Sequence, residues 1–277
     1  MIKFFTKDFY KDRRNIIWAA IFGVSLAACV VSLLMLIMHL RPDEENLSEF
    51  KQNVSSASEI VLGDNPIDFP TLQAETPDAC AWIRIPDTVI DYPVMQSGPE
   101  TDEDFYLDHD RNGKPKKAGS IYIQKLNSKD FTDRNTLIYG HNMLNGTMFA
   151  QLKKYRNREF FDTHRDIYVY TPGHILHYKV LSAFVYDDRH ILNSFNFYND
   201  DDYIKFLTDC LDPTSLARQV CDDIEVSTTD KIITLSTCTN NDTERYLVVG
   251  VLQSDTPTKL QKIPTNIRRD FLVKSEK

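Results

Sequence analysis

Three side chains of this 277-residue chain have the types and spacing for acyl-transfer chemistry: Cys238, Arg245 and His141. The segment KIITLSTCTNNDTERYLVVGVL reads as two strands joined by the polar loop Thr239 to Glu244, a β-hairpin. In such a hairpin Cys238 and Arg245 flank the loop as near cross-strand neighbours. The period of two puts Thr234, Ser236 and Cys238 on one face of the first strand, with Ile233 and Leu235 on the other. A cation beside a thiol favours the thiolate, which is the attacking species. Arginine cannot act as the base. Its planar donors suit the oxyanion of a tetrahedral intermediate, backed by a backbone N–H such as that of Thr239. His141 supplies the proton carrier: it follows the strand-like run NTLIYG, and Gly140 lets the chain bend there. His109, His164, His174, His177 and His190 lie in polar or alternating stretches with no such context, and His39 lies at the edge of an apolar segment.

Each residue also has a plainer role. A cysteine closing a strand can simply pack in the core, a lone histidine can sit on the surface, and Arg245 can pair with Glu244. Spacing alone leaves both readings open.

The elements that must position these groups are mostly strands. Short runs rich in β-branched and aromatic residues fall at Val89 to Val94, Ser120 to Ile123, Asn135 to Tyr139, Asp166 to Tyr170, His177 to Val185, Lys231 to Thr237 and Arg245 to Leu252. Met148 to Tyr155 reads as a short helix and Asp200 to Leu211 as a longer one. The Asp200, Asp201, Asp202 run fits a helix N-terminus, where acids meet the dipole, better than a metal site. Seven or more short strands with few helices predict a mainly β chain closed into a barrel, with peripheral helices.

Six of the 32 Lys/Arg and two of the 40 Asp/Glu lie in residues 1–41, leaving a body with 26 basic against 38 acidic residues. An acidic body without a basic stripe excludes nucleic acid as the natural partner. Residues 16–38 carry no charge, and 23 helical residues span about 35 Å, enough for a hydrocarbon core of about 30 Å. Lys3, Lys7, Lys11, Arg13 and Arg14 precede the run, while Asp43, Glu44 and Glu45 follow it, so residues 1–15 are expected in the cytoplasm and the body outside. Leu47, Phe50, Val54 and Ala57 predict an amphipathic helix in a stalk and linker over residues 39–68, ahead of a catalytic domain at 69–277. Cys80, Cys210, Cys221 and Cys238 lack the dense spacing of a disulfide scaffold. Free buried thiols are the default, with a Cys210–Cys221 bridge as the alternative. No metal and no cofactor is expected.

The residues resemble the sortase family, and class B within it. The catalytic-strand signature T-L-x-T-C followed by Arg is similar to Thr234, Leu235, Ser236, Thr237, Cys238 and Arg245. The histidine block is similar to YGHNM, Tyr139 to Met143, and WIRIPDTVIDYPVMQ and FYLDHDRNG resemble the first strands and the loop after them. The resemblance covers residues 69 to 253 and implies a closed barrel of about eight strands. It implies a transpeptidase in which Cys238 attacks the carbonyl after the Thr of a C-terminal sorting signal, forming a thioester that an amine resolves. His141 would move the protons, Arg245 would steady the oxyanion, and Leu107, Tyr139, Ser236 and Thr239 would contact substrate. The implied partners are surface proteins or pilins bearing the signal, and a peptidoglycan precursor amine or a pilin lysine as acceptor. Thr239 departs from the acidic residue that often follows the cysteine in this family. An L,D-transpeptidase would need an S-H-G-C block, and a papain-like peptidase would place Cys before His. Neither pattern is present.

Overall fold

In the computed structural model residues 62–241 and 243–261 are described, with scattered helical positions between 21 and 35. The amphipathic helix expected around Leu47 to Ala57 and most of the apolar run 16–38 lie outside the described residues, among which no helix is long and apolar enough to cross a membrane. The chain divides into two units, Met1–Val61 and Leu62–Lys277.

Among the described residues nine strands form one sheet: β1 Ala79–Arg84, β2 Asp91–Met95, β3 Ile121–Ile123, β4 Asn135–Tyr139, β5 Asp166–Thr171, β6 His174–Asp187, β7 Arg218–Val220, β8 Ile232–Cys238 and β9 Glu244–Pro257. The order is β5-β1-β2-β3-β4-β8-β9-β6-β7, and a further β5–β6 pairing closes eight of them into a barrel. β2–β3 and β4–β8 are parallel and the remaining pairs antiparallel. Closure depends on β6. It pairs with β9 along its whole length, while its first half pairs with β5 and its second with β7. Register shifts at His177/Tyr178 and Val180/Ser182 bend it between the two duties, as bulges do.

Strand edges move where local geometry overrides pattern. Val89 and Ile90 were expected in β2 but belong to the β1–β2 turn, where Ile90 O accepts from Ile85 N at 2.9 Å and Asp87 takes φ 58°. β1 starts at Ala79, before the β-branched signal, because Ala79, Cys80 and Ala81 are small residues packed in the interior. The helix expected at Met148 to Tyr155 is a 3-10 helix, Phe149–Arg156.

Among the described residues four α-helices decorate the barrel: α1 Phe69–Glu75, α2 Arg158–Thr163, α3 Ile191–Ser194 and α4 Asp200–Leu211. α4 buries Tyr203, Phe206, Leu207 and Cys210 along one stripe. Asn199 caps its N-terminus, accepting from Asp202 N at 3.1 Å. Asp200 pairs with Arg134 and Asp202 with Lys205, so these acids serve the helix start and its neighbours. Residues 62–68, read from sequence as the end of the linker, bond to the barrel unit: Asn65 Nδ2 donates to Thr171 O at 2.9 Å.

Candidate active site

The parallel pairing of β4 and β8 brings distant residues together. Both strands run the same way, with Tyr139 opposite Ser236, so both C-terminal ends open on the same edge of the barrel. β8 ends on Cys238 and β4 leads through Gly140 to His141. Gly140 N donates to Ser236 O at 3.1 Å, extending the ladder by one step. Gly140 is needed for closeness rather than for an unusual bend. A Cβ there would stand 2.4 Å from Ile121 Cδ1 and 2.8 Å from the Phe149 ring. Asn142 Nδ2 then donates to Cys238 O at 3.0 Å across 96 residues of sequence.

Cys238 and Arg245 are direct register partners across the β8–β9 hairpin, as its sequence predicts. Arg245 Nη1 donates to Glu244 O at 3.0 Å. His141 Nε2 lies 2.8 Å from Leu107 O. A carbonyl only accepts, so Nε2 carries a proton, and in the neutral ring Nδ1 is left as the acceptor. The Leu107 carbonyl is itself held by a close approach: Gly119 sits at φ +56°, and a Cβ there would be 2.2 Å from Leu107 O. Among the described residues no hydrogen bond joins the Cys238 sulfur to the His141 ring.

Of the four body cysteines, Cys238 alone is exposed; Cys80, Cys210 and Cys221 are buried free thiols, without the bridge considered for the last two. Burial pushes the Cys80 thiol up to about 12 and raises Cys210 and Cys221 as well. These three are packing residues.

Two cavities meet at the thiol. A groove of about 310 Å³ runs on one side, floored by Leu107, Tyr139, Ser236 and Arg245 beside Cys238 and His141. A cleft of about 540 Å³ opens on the other side, between the 3-10 helix and the β8–β9 loop. Cys238, His141 and Thr237 line both.

Leu107, Tyr139 and Ser236 therefore lie together in the groove, whereas Thr239 lines the cleft. The Thr239 N–H expected at an oxyanion instead donates to Glu244 O at 3.4 Å, because it closes the hairpin. Sequence reasoning missed other groove residues. Tyr122 Oη and Gln124 Nε2 both donate to Asp104 Oδ1, at 3.1 and 2.8 Å, and Tyr139 Oη donates to Gln124 Oε1 at 3.2 Å. Burial, with the Asp104 charge next, raises the Tyr122 and Tyr139 phenols, which stay neutral donors. His190, passed over in its polar stretch, lines the same groove. Its Nδ1 accepts from Asn193 N at 3.2 Å at the start of α3, while Nε2 is buried without a partner among the described residues. Nothing local in the sequence marks it, since only the path of the chain after β6 brings it there.

The sortase domain family matches residues 83–253. Sortase B of Listeria monocytogenes is 36% identical over 209 residues, which are 74% of this chain and 80% of that protein. Among solved structures, Clostridium perfringens sortase B superposes with a TM-score of 0.59 at 33% identity, covering 66% of this chain and 98% of that one. The Staphylococcus aureus sortase B–substrate complex gives 0.59 at 28% identity, covering 76% and 93%. The closed mixed barrel with a thiol at one strand end is the fold of a cysteine transpeptidase, and the chain belongs to the sortase family. Its relatives place it in class B.

Proposed function

We propose that the protein cleaves a C-terminal sorting signal after Thr and joins the new carboxyl end to an amine, anchoring surface proteins to peptidoglycan. The observation that carries this is the exposed Cys238 thiol, opposite Arg245 in the hairpin and lining the same groove as His141. The peptide lies in the groove. Cys238 thiolate attacks the carbonyl, the Arg245 guanidinium offsets the oxyanion charge, and His141 protonates the departing amine. The C–N bond breaks and a thioester remains on sulfur. An incoming amine reverses the sequence: its nitrogen bonds the carbonyl carbon, His141 takes its proton, and sulfur leaves as thiolate.

In this reading residues 1–15 are cytoplasmic, 16–38 anchor the chain in the membrane and the catalytic unit faces outward, because the flanking charges are basic before the span and acidic after it. The test is mass spectrometry of the full chain incubated with a library of sorting-signal peptides. An adduct on Cys238 in wild type and none in Cys238→Ala is expected. No adduct in wild type, or an equal one in the variant, favours a tethered binding module. Transfer to a lysine inside a pilin in place of a wall precursor would reassign the protein to pilus assembly.

A further inference from the structure

A histidine that moves protons needs a neighbour that fixes which ring nitrogen does the work. Among the described residues no carboxylate bonds the His141 ring, and the group in that place is a main-chain carbonyl, Leu107 O, 2.8 Å from Nε2. A carbonyl in a surface loop is a poor anchor unless the loop itself is held.

The loop over residues 104–120 is held by its own main chain. The carbonyls on either side of Leu107 are all engaged. Phe105 O accepts from His109 Nδ1 at 2.8 Å, Tyr106 O from Ser120 N at 2.9 Å, Asp108 O from Lys116 N at 2.7 Å and His109 O from Ser120 Oγ at 3.0 Å. The buried Tyr106 donates through its hydroxyl to Asp78 at 2.8 Å, and the Phe105 and His109 rings stack 3.9 Å apart.

The tightest approach in this loop is at Gly119. Its φ is +56°, and a Cβ there would stand 2.2 Å from Leu107 O and 2.7 Å from Tyr106 O. Gly113, in the same loop, also has a positive φ, +72°, but a Cβ there would come no closer than 3.9 Å to the Phe105 ring. Backbone conformation favours glycine at both positions. Contact with the Leu107 carbonyl demands it only at the first.

We propose that Gly119 is a positioning residue for proton transfer: it lets the chain before Ser120 press against the Leu107 peptide, which keeps a proton on His141 Nε2 and leaves Nδ1 for the reacting atoms. This rests on the transpeptidase reading above. In the first half-reaction the imidazolium gives its Nδ1 proton to the departing amine nitrogen as the C–N bond breaks. In the second the neutral Nδ1 takes a proton from the attacking amine as the C–S bond breaks. Through both, Nε2–H stays on Leu107 O. A carboxylate in that place would hold the imidazolium charge more strongly, whereas a neutral carbonyl orients the ring and still lets the Nδ1 proton go.

The test uses the full-length chain in detergent with isotope-labelled histidine, whose nitrogen–proton NMR spectrum tells an Nε2–H ring from an Nδ1–H ring. It is recorded at alkaline pH, where imidazoles are neutral, and His141→Gln identifies the signal. Wild type is expected to carry the His141 proton on Nε2. Gly119→Ala should show a mixture of the two forms and a kcat for donor acylation about 100-fold lower, the scale of a displacement of about 1 Å. Gly113→Ala should lose a similar amount of Tm while keeping the wild-type spectrum and kcat. Leu107→Ala, which trims the groove but keeps the carbonyl, should raise the donor KM and leave the spectrum unchanged. An Nδ1–H ring in wild type overturns the proposal, whether or not Gly119→Ala folds. Equal kcat in Gly119→Ala and Gly113→Ala, with Nε2–H retained in both, also overturns it and makes Gly119 a residue of the fold alone. A wild-type chain that forms no acyl-enzyme overturns the transpeptidase reading, and the proposal with it.

Discussion

The Asn142 side-chain amide donates to the Cys238 carbonyl oxygen at 3.0 Å, tying the segment that carries His141 to the end of the strand that carries the thiol. Neither sulfur nor imidazole takes part in this bond, yet it joins their backbones. Asn142→Ala should therefore act on rate more than on stability. A loss of about tenfold in kcat/KM, with Tm within a few degrees of wild type, is expected in steady-state kinetics and a thermal melt. A large fall in Tm with unchanged kinetics would make the bond purely structural.

Arg245 faces Cys238 across the hairpin, and its role as proposed depends on a planar array of donors. Arg245→Lys keeps the charge and loses the fork. Acyl-enzyme formation should slow by about 100-fold in single-turnover assays, the scale on which one oxyanion donor acts. Cys238→Ala should remove acylation altogether.

Gly140 lets β4 pass close to Ile121 and Phe149 on its way to His141. Gly140→Ala must push these neighbours apart, an overpacking cost of about 1–3 kcal/mol. Urea unfolding should report the loss. The same displacement moves His141, so activity should fall even at temperatures where the variant remains folded.

Thiol labelling should separate Cys238 from the other body cysteines. Iodoacetamide is expected to modify Cys238 in the native protein, and Cys80, Cys210 and Cys221 only after denaturant is added, because these three are buried. Peptide mapping of the alkylated chain checks this, and rapid native labelling of Cys210 would contradict it.

Cys80 also predicts an alkaline limit on stability. Its thiol titrates at about 12 in the folded chain against 9.0 as the ordinary value. The folded state thus holds a proton that the unfolded state releases first. Its stabilising effect is complete below pH 9 and drains away as pH rises from about 9 toward 12, by at most about 1.4 kcal/mol per pH unit. Cys80→Ala should flatten the fall of unfolding free energy over that interval, measured by urea titration at successive pH values.

Several parts of the site were legible in sequence because the signals are local. The Cys238–Arg245 pairing follows from the lengths of two strand-like runs and the polar loop between them, and β4 follows from NTLIY before a glycine. α4 was marked at its start by Asp200, Asp201 and Asp202, acids where a helix dipole favours negative charge. The start of β1 was hidden because alanine and cysteine carry no strand signal of their own, and β7 because three residues, Arg218 to Val220, are too few to show a period.

By itself the sequence determined which groups can react, since side-chain type and a period of two are properties of a few adjacent residues. Only the tertiary structure decided where those groups act. The parallel register of β4 with β8 put His141 at the edge where Cys238 ends, and barrel closure through β6 left one cavity on each side of the thiol. His190 lines the groove only through contacts between segments far apart in the chain, and the cleft exists only because the 3-10 helix packs beside the β8–β9 hairpin. Such contacts depend on how the whole sheet closes, and no window of sequence around any one of these residues contains that information.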